Sequence, residues 1–148
     1  MNFLVDTNVV SEFVRDDPDV NVIRWFEEAD EDAVFLSAMT IAELRRGISI
    51  LADGQRKRRL DRWLGDDLVP RFSSRIIAVD EIVADRWGRF VGNLRCQDVA
   101  RHAMDAFIAA TAFVHSLALA TRNVRDFTSY GIKVVDPFQP LSRMRVSE

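Results

Sequence analysis

The sequence predicts an α/β domain, a parallel sheet of five strands sandwiched between helices. Three observations predict it. Short apolar runs recur along the chain, helical patterns separate them, and no repeat, low-complexity tract or linker interrupts the alternation. Asn2–Val5 reads as a short buried strand that ends at an acid. Val9, Val10, Phe13 and Val14 mark a helix after it. Asp17-Pro18 then predicts an N-cap with proline at the first helical position, opening a helix through Val22, Ile23, Trp25 and Phe26. Val34–Leu36 is the second strand. Met39–Leu51 is an amphipathic helix, with Asp53-Gly54 as its expected left-handed close. A basic helix runs from Gln55 to Leu68. Ile76–Val79 is the third strand, and Asp80 caps a helix over Glu81–Asn93. Leu94–His102 carries no clear pattern. Met104–Ser116 is an almost wholly apolar helix, expected to be buried. Leu117–Ala120 and Lys133–Val135 complete the strands. Residues 1–141 form one domain, and 142–148 form a tail without a packing signal.

The chain has 148 residues, 48% of them hydrophobic and 29% charged, enough for one ordinary core. No apolar run approaches the ~20 residues that cross a bilayer. The N-terminus lacks the basic region of a secretory signal, so the cytoplasm is the expected compartment. The single cysteine, Cys96, excludes an internal disulfide and a thiolate zinc site. The net charge of -3 argues against a module that merely coats nucleic acid. It leaves room for an enzyme that holds cations in an acidic pocket, because the metal reverses the local charge.

In open α/β sheets the functional crevice lies beyond the carboxyl ends of the strands. Asp6 follows the first strand directly. Thr121-Arg122-Asn123 ends the fourth, with Asp126 one turn further on. Glu43 is placed in the first turn of the helix after the second strand, and Asp105 in the first turn of the buried helix. Each acid also has an ordinary reading. Asp6 can cap the next helix, Thr40 and Glu43 fit a capping box, and Asp105 suits a helix N-terminus. Asp105 is the least ordinary of them, because the surrounding Ala106, Phe107, Ile108, Ala109 and Ala110 are so apolar.

Four segments resemble a known family in its order. Leu4-Val5-Asp6-Thr7-Asn8-Val9-Val10 is similar to the opening motif of PIN-domain proteins. Ser37–Leu44 resembles the segment that carries their second acid, Asp105–Ala112 the third, and Ala120–Phe127 the fourth. The subgroup it resembles is the VapC-type toxins, FitB-like members included. The resemblance implies a three-layer α/β/α fold and a metal-dependent endoribonuclease. It implies Mg2+ or Mn2+ held by Asp6, Asp105 and Glu43, and structured tRNA or rRNA as substrate. It also implies a homodimer and a VapB-type antitoxin, in some cases within a larger toxin–antitoxin hetero-oligomer. Some family members carry aspartate at the position of Asn123, so the fourth acidic place is open between Asn123 and Asp126.

Oxygen ligands alone favour a hard ion over zinc. Asp6 and Asp105 are the expected direct ligands, with Glu43 binding through water or orienting the attacking one. Asn8 and Thr121 are placed to hold carboxylates or waters. A metal-free ribonuclease would usually use histidine, and only His102 and His115 exist. His115 sits near a helix end, and His102 is expected on a surface loop. Arg45, Arg46, Arg56, Lys57 and Arg59 are the candidate RNA contacts; a solvated helix face paired with Asp61, Asp66 and Asp67 is the competing reading. Walker, Rossmann and nucleophile-elbow motifs are absent. The rival functions are a non-catalytic PIN-like RNA-binding or assembly module and a phospho-accepting receiver. The receiver would need a lysine at a late strand end, and Lys133 begins a strand instead.

Overall fold

All five apolar runs form strands. In chain order these are β1 (Phe3–Val5), β2 (Val34–Ser37), β3 (Ile76–Ile77), β4 (Ala118–Ala120) and β5 (Val134–Val135). The computed structural model describes residues 1–144, so the end of the expected tail, 145–148, lies outside the described residues. The strands pair in the order β3-β2-β1-β4-β5, and every pairing is parallel. The helices are α1 (Thr7–Val10), α2 (Val20–Glu28), α3 (Ala38–Ser49), α4 (Gln55–Arg62), α5 (Val69–Arg71), α6 (Glu81–Val91), α7 (Cys96–Val114) and α8 (Val124–Phe127). A π-helical stretch, Trp63–Leu68, joins α4 to α5.

Neighbouring residues of a strand point to opposite faces, so each strand feeds two cores. Val5, Val34, Leu36 and Ala120 join one cluster with Val22, Trp25, Leu44, Ile48 and Leu64. Leu4, Leu119 and Val134 join the other with Ile108, Ala109, Ala112 and Phe127. Both faces are covered, which is the three-layer α/β/α arrangement expected of a parallel sheet. Beyond β5, Leu141–Arg143 form a 3-10 turn and Met144 packs against the first cluster.

Local chemistry differs from the sequence expectation at six places. Asp19, not Asp17, caps α2, accepting from the Asn21 and Val22 amides. Ser37 caps α3 by accepting from Met39, so the Thr40–Glu43 capping box does not form. Gly54 is extended (φ 161°) and precedes α4; it does not close α3 in a left-handed cap. Helix α7 runs 19 residues from Cys96, taking in the unassigned stretch. No glycine or proline interrupts that stretch, and packing on α6 supplies what its pattern lacks. There Trp87 Nε1 donates to the Ala103 carbonyl at 3.0 Å, and Trp87 stacks on Phe107 with centroids 4.7 Å apart. His102 is therefore helical and partly buried, not on a loop. Lastly, Phe113 in the apolar half of α7 is 39% exposed.

Thr40 is fully buried, and its hydroxyl is the one buried side-chain polar atom without a hydrogen-bond partner among the described residues. Thr40→Val keeps the shape and removes an unsatisfied group. It should stabilise the protein by about 1 kcal/mol, read as a higher urea midpoint with unchanged slope. A lower midpoint would mean that water or a polar neighbour pairs the hydroxyl.

Candidate active site

The strand order reverses direction between β1 and β4, and this switch point is where an open α/β sheet forms its crevice. Asp6 and Thr121 leave these two strands side by side. The Asp6 amide donates to the Ala120 carbonyl at 2.9 Å, continuing the ladder. The Asp6 carboxylate, only 6% exposed, is held on both oxygens. Oδ1 accepts from the Thr7 amide at 2.8 Å. Oδ2 accepts from the Thr121 hydroxyl at 2.7 Å and from Asn8 Nδ2 at 3.3 Å. Asn8 Nδ2 also donates to Thr121 Oγ1 at 3.2 Å, and Asn8 Oδ1 accepts the Arg122 amide at 3.1 Å. Asp6 does cap α1, as the ordinary reading has it, but one oxygen suffices for that.

Glu43 stands on α3, whose entry is set by Ser37 at the end of β2. Its Oε1 accepts from the Thr7 hydroxyl at 3.0 Å, which ties α3 to the end of β1. Asp105 lies near the middle of α7, not in its first turn. A helix-terminus explanation of its charge is therefore removed. Asn123 is exposed and precedes α8 without a side-chain cap, while its amide donates to Thr121 Oγ1 at 3.1 Å. Asp126 is exposed in α8. The sequence reading missed Thr7. A hydroxyl directly after a strand-end acid was the available signal.

These acids share one electrostatic field. Burial raises the Asp6 carboxyl above its ordinary range against the hydrogen bonds from Thr121, Thr7 and Asn8, and the charge of Asp126 adds to the rise. Burial likewise raises Glu43, with Asp6 and Asp105 adding and the Thr7 hydroxyl opposing. Asp105 is raised by burial and then by Asp6 and Asp126, with partial relief from His102. The Tyr130 phenol is pushed up by burial and by Asp105 and Asp126. No lysine or arginine forms a salt bridge with any of the four acids among the described residues. Raised carboxyl groups clustered without a salt-bridge partner mark a candidate functional site.

The PIN domain model matches residues 3–133, a span that contains all four acids. The chain belongs to the PIN-domain family. It is 37% identical to Toxin FitB of Neisseria gonorrhoeae over 135 residues, covering 91% of this chain and 97% of that protein. It is 33% identical to Plasmid stability protein StbB of Pseudomonas syringae pv. tomato over 136 residues, covering 92% and 98%. VapC ribonuclease Y4jK of Sinorhizobium fredii is 28% identical over 137 residues, covering 93% and 98%. Among solved structures, FitAcB from Neisseria gonorrhoeae matches with TM-score 0.81 and 36% identity, over 93% of this chain and 99% of that one. FitAB bound to an IR36 DNA fragment matches with TM-score 0.80 and 34% identity, over 93% and 96%.

A PIN domain implies a divalent ion, and the donors present suit a hard one because all are oxygens. Among the described residues no three acid, imidazole or thiolate groups converge closely enough to hold one ion together. The arrangement therefore fits Mg2+ or Mn2+ bound by one or two carboxylates and completed by water, not a closed protein cage.

The basic residues expected to meet RNA divide. Lys57 Nζ donates to the Ser49 and Leu51 carbonyls at 3.3 and 3.2 Å and bridges Asp53 at 3.4 Å. It closes the end of α3 where Gly54 was expected to, and is not a free phosphate contact. Arg45 pairs with Asp61, and Arg59 with Asp16 at 3.6 Å. Of the three acids expected to pair with these basic residues, Asp61 alone does so among the described residues, with Arg45 on α3. Arg46 is exposed, and Arg56 opens onto a cleft of about 780 Å³ shared with Arg15, Asp16 and Arg59.

Raised carboxyl groups bind protons more readily in the folded than in the unfolded chain. Stability therefore falls as pH climbs from the ordinary carboxylate range through the shifted values. Asp105→Asn removes one of the mutually repelling charges. In EDTA it should melt higher than the parent near about pH 7 and lose that advantage near about pH 3, where the carboxyl is protonated in both states. A mutant that melts lower throughout, yet gains fully from added metal, would make Asp105 a structural residue.

Proposed function

We propose that this PIN domain is a Mg2+- or Mn2+-dependent endoribonuclease, the toxin of a type II toxin–antitoxin pair, cleaving structured RNA such as tRNA or rRNA. The observation that carries the reading is the set of uncompensated carboxylates at the β1–β4 switch point, three of them held above their ordinary range. The names of the relatives, a toxin and a VapC ribonuclease among them, support it. The neighbouring FitAB and FitAcB structures support a VapB-type antitoxin as partner. A basic antitoxin side chain would pair well with these acids. We read the toxin as a homodimer in the cytoplasm; among the described residues no helix is long and apolar enough to cross a membrane.

Asp6 and Asp105 would hold the ion directly, and Glu43 through water. When bound, the ion relieves charge on the phosphorane-like transition state and lowers the pKa of a bound water. The remaining work belongs to the chain. Thr121 and Asn8 fill Oδ2 of Asp6 and fix the carboxylate, while Oδ1 accepts from the Thr7 amide alone and keeps acceptor capacity for a ligand. Thr7 fixes Glu43 through Oε1, leaving Oε2 to take a proton from the attacking water. Its raised carboxyl is the better base for that.

Purified protein incubated with total RNA tests the reading. EDTA should abolish cleavage, Mn2+ or Mg2+ should restore it, and Asp6→Asn should lower it by about a hundredfold or more. Full cleavage in EDTA would sink the mechanism. Growth arrest on expression, relieved by co-expressing a neighbouring small antitoxin frame, tests the toxin role.

The fourth position needs its own pair of variants. Asp126→Ala should damage cleavage if Asp126, whose charge reaches both Asp6 and Asp105, completes the acidic set. Asn123→Asp should tighten Mn2+ binding if Asn123 faces the ion, since it adds a carboxylate. No effect from either would mean that three acids suffice.

A further inference from the structure

An RNA strand brings phosphates to a crevice that is itself negative, so something beside the acids must hold the backbone. Arg122 follows Thr121, whose hydroxyl donates to Asp6. Its amide donates to Asn8 Oδ1 at 3.1 Å, which fixes its backbone to the network that holds the acid. Its guanidinium lies 3.7 Å from the centroid of the Phe138 ring. That ring is held in turn. The Phe138 amide donates to Asp136 Oδ1 at 2.9 Å, and its carbonyl accepts from Asn21 Nδ2 at 3.0 Å.

Arg122 is exposed and lines a cleft of about 380 Å³ with Asn123, Arg125, Asp126 and Asp136. It forms no salt bridge among the described residues, although two acids line the same cleft. Six other arginines, Arg59 beside Asp16 among them, are ion-paired, whereas Arg125, which shares the cleft, forms no salt bridge among the described residues either. A guanidinium stacked on a ring keeps its in-plane N–H donors free, and their fork matches two phosphate oxygens. Stacking also reduces the rotamer freedom lost when a ligand binds.

We propose that Arg122, clamped on Phe138, grips a backbone phosphate of the RNA beside the acidic site. The inference rests on the ribonuclease reading and names a substrate contact for the same site. The competing role is structural, a latch between the end of β4 and the segment after β5.

Two measurements separate these outcomes. In an Asp105→Asn background, binding of a fluorescein-labelled oligoribonucleotide is followed by anisotropy across a salt series. Arg122→Gln should weaken binding about tenfold and reduce the slope of log K against log salt by about 0.7, the loss of one single-strand phosphate contact. Arg122→Lys should keep the slope and recover only part of the affinity. In otherwise unmodified protein, Arg122→Gln should raise KM about tenfold and change kcat much less. Arg89→Gln, which removes an equal charge on α6, should do neither. Melting curves confirm that each variant is folded. A wild-type KM and salt slope in Arg122→Gln overturns the proposal and leaves the ribonuclease intact. If the parent protein cleaves no RNA, the ribonuclease reading fails, and the salt slope still decides whether Arg122 holds phosphate. If the parent protein binds no RNA, both fall.

Discussion

The buried carboxylate of Asp6 is the constraint on which the rest of the structure depends. A carboxylate 6% exposed at the end of the central strand needs donors, and among the described residues no lysine or arginine supplies them. They come from Thr7 and Asn8 after β1 and from Thr121 after β4. The pairing of β1 with β4, which registers Val5 with Ala120, is therefore also the pairing that satisfies the acid. A slip of one residue would exchange Leu119 with Ala120 across the sheet and carry the Thr121 hydroxyl away from Asp6. Sheet register and site geometry are one requirement.

Around that point the fold brings in acids that helix capping does not explain. Glu43 would be an ordinary first-turn acid if Thr40 closed a capping box with it, but Ser37 caps α3 and the Thr7 hydroxyl holds Glu43 toward β1. Asp105 interrupts the apolar part of a 19-residue helix, where neither cap nor macrodipole favours it. Burial raises the proton affinity of both, Asp6 and Asp105 add to the rise at Glu43, and Asp6 and Asp126 add to it at Asp105, so the folded chain carries that repulsion at neutral pH. Sites that must bind a cation commonly hold such tension, because the cation then gains more from binding than well-solvated carboxylates would offer.

Much of this was legible in the residues. Strand positions follow from short apolar runs, and Asp80 after the third run marks the cap that it is, accepting from Ile82 and Val83. The acids could be placed together because strand ends share one edge of a parallel sheet. What escaped was non-local. Cys96–Ala103 has no apolar period of its own and becomes helical against α6, through Trp87 and Phe107. The use of Lys57 on the Ser49 and Leu51 carbonyls, at and just past the end of α3, requires knowing how α4 folds back, which no spacing reveals. The same holds for Arg59, whose partner Asp16 stands more than forty residues earlier. Asp17-Pro18 misled because Asp19 offers an equally good capping oxygen nearer the start of α2.

A net charge of -3 and a polyanionic substrate look incompatible only when charge is counted over the whole chain. Here it is sorted in space. The acids occupy the switch-point crevice, which a divalent ion would make locally positive. The arginines stand outside it. Arg15, Arg56 and Arg59 line the cleft beside α4, and Arg122 and Arg125 line the cleft beside α8. Two of the α4-side group are already engaged by Glu12 and Asp16, so their pull on a phosphate is blunted. Arg122 has no such partner among the described residues, and it stacks on Phe138 directly after Thr121, whose hydroxyl holds Asp6. A cation at the end of β4, tied through its backbone amide to the Asn8 that holds Asp6 at the end of β1, would keep metal and phosphate in fixed relation, which two surface charges on separate flexible segments would not achieve.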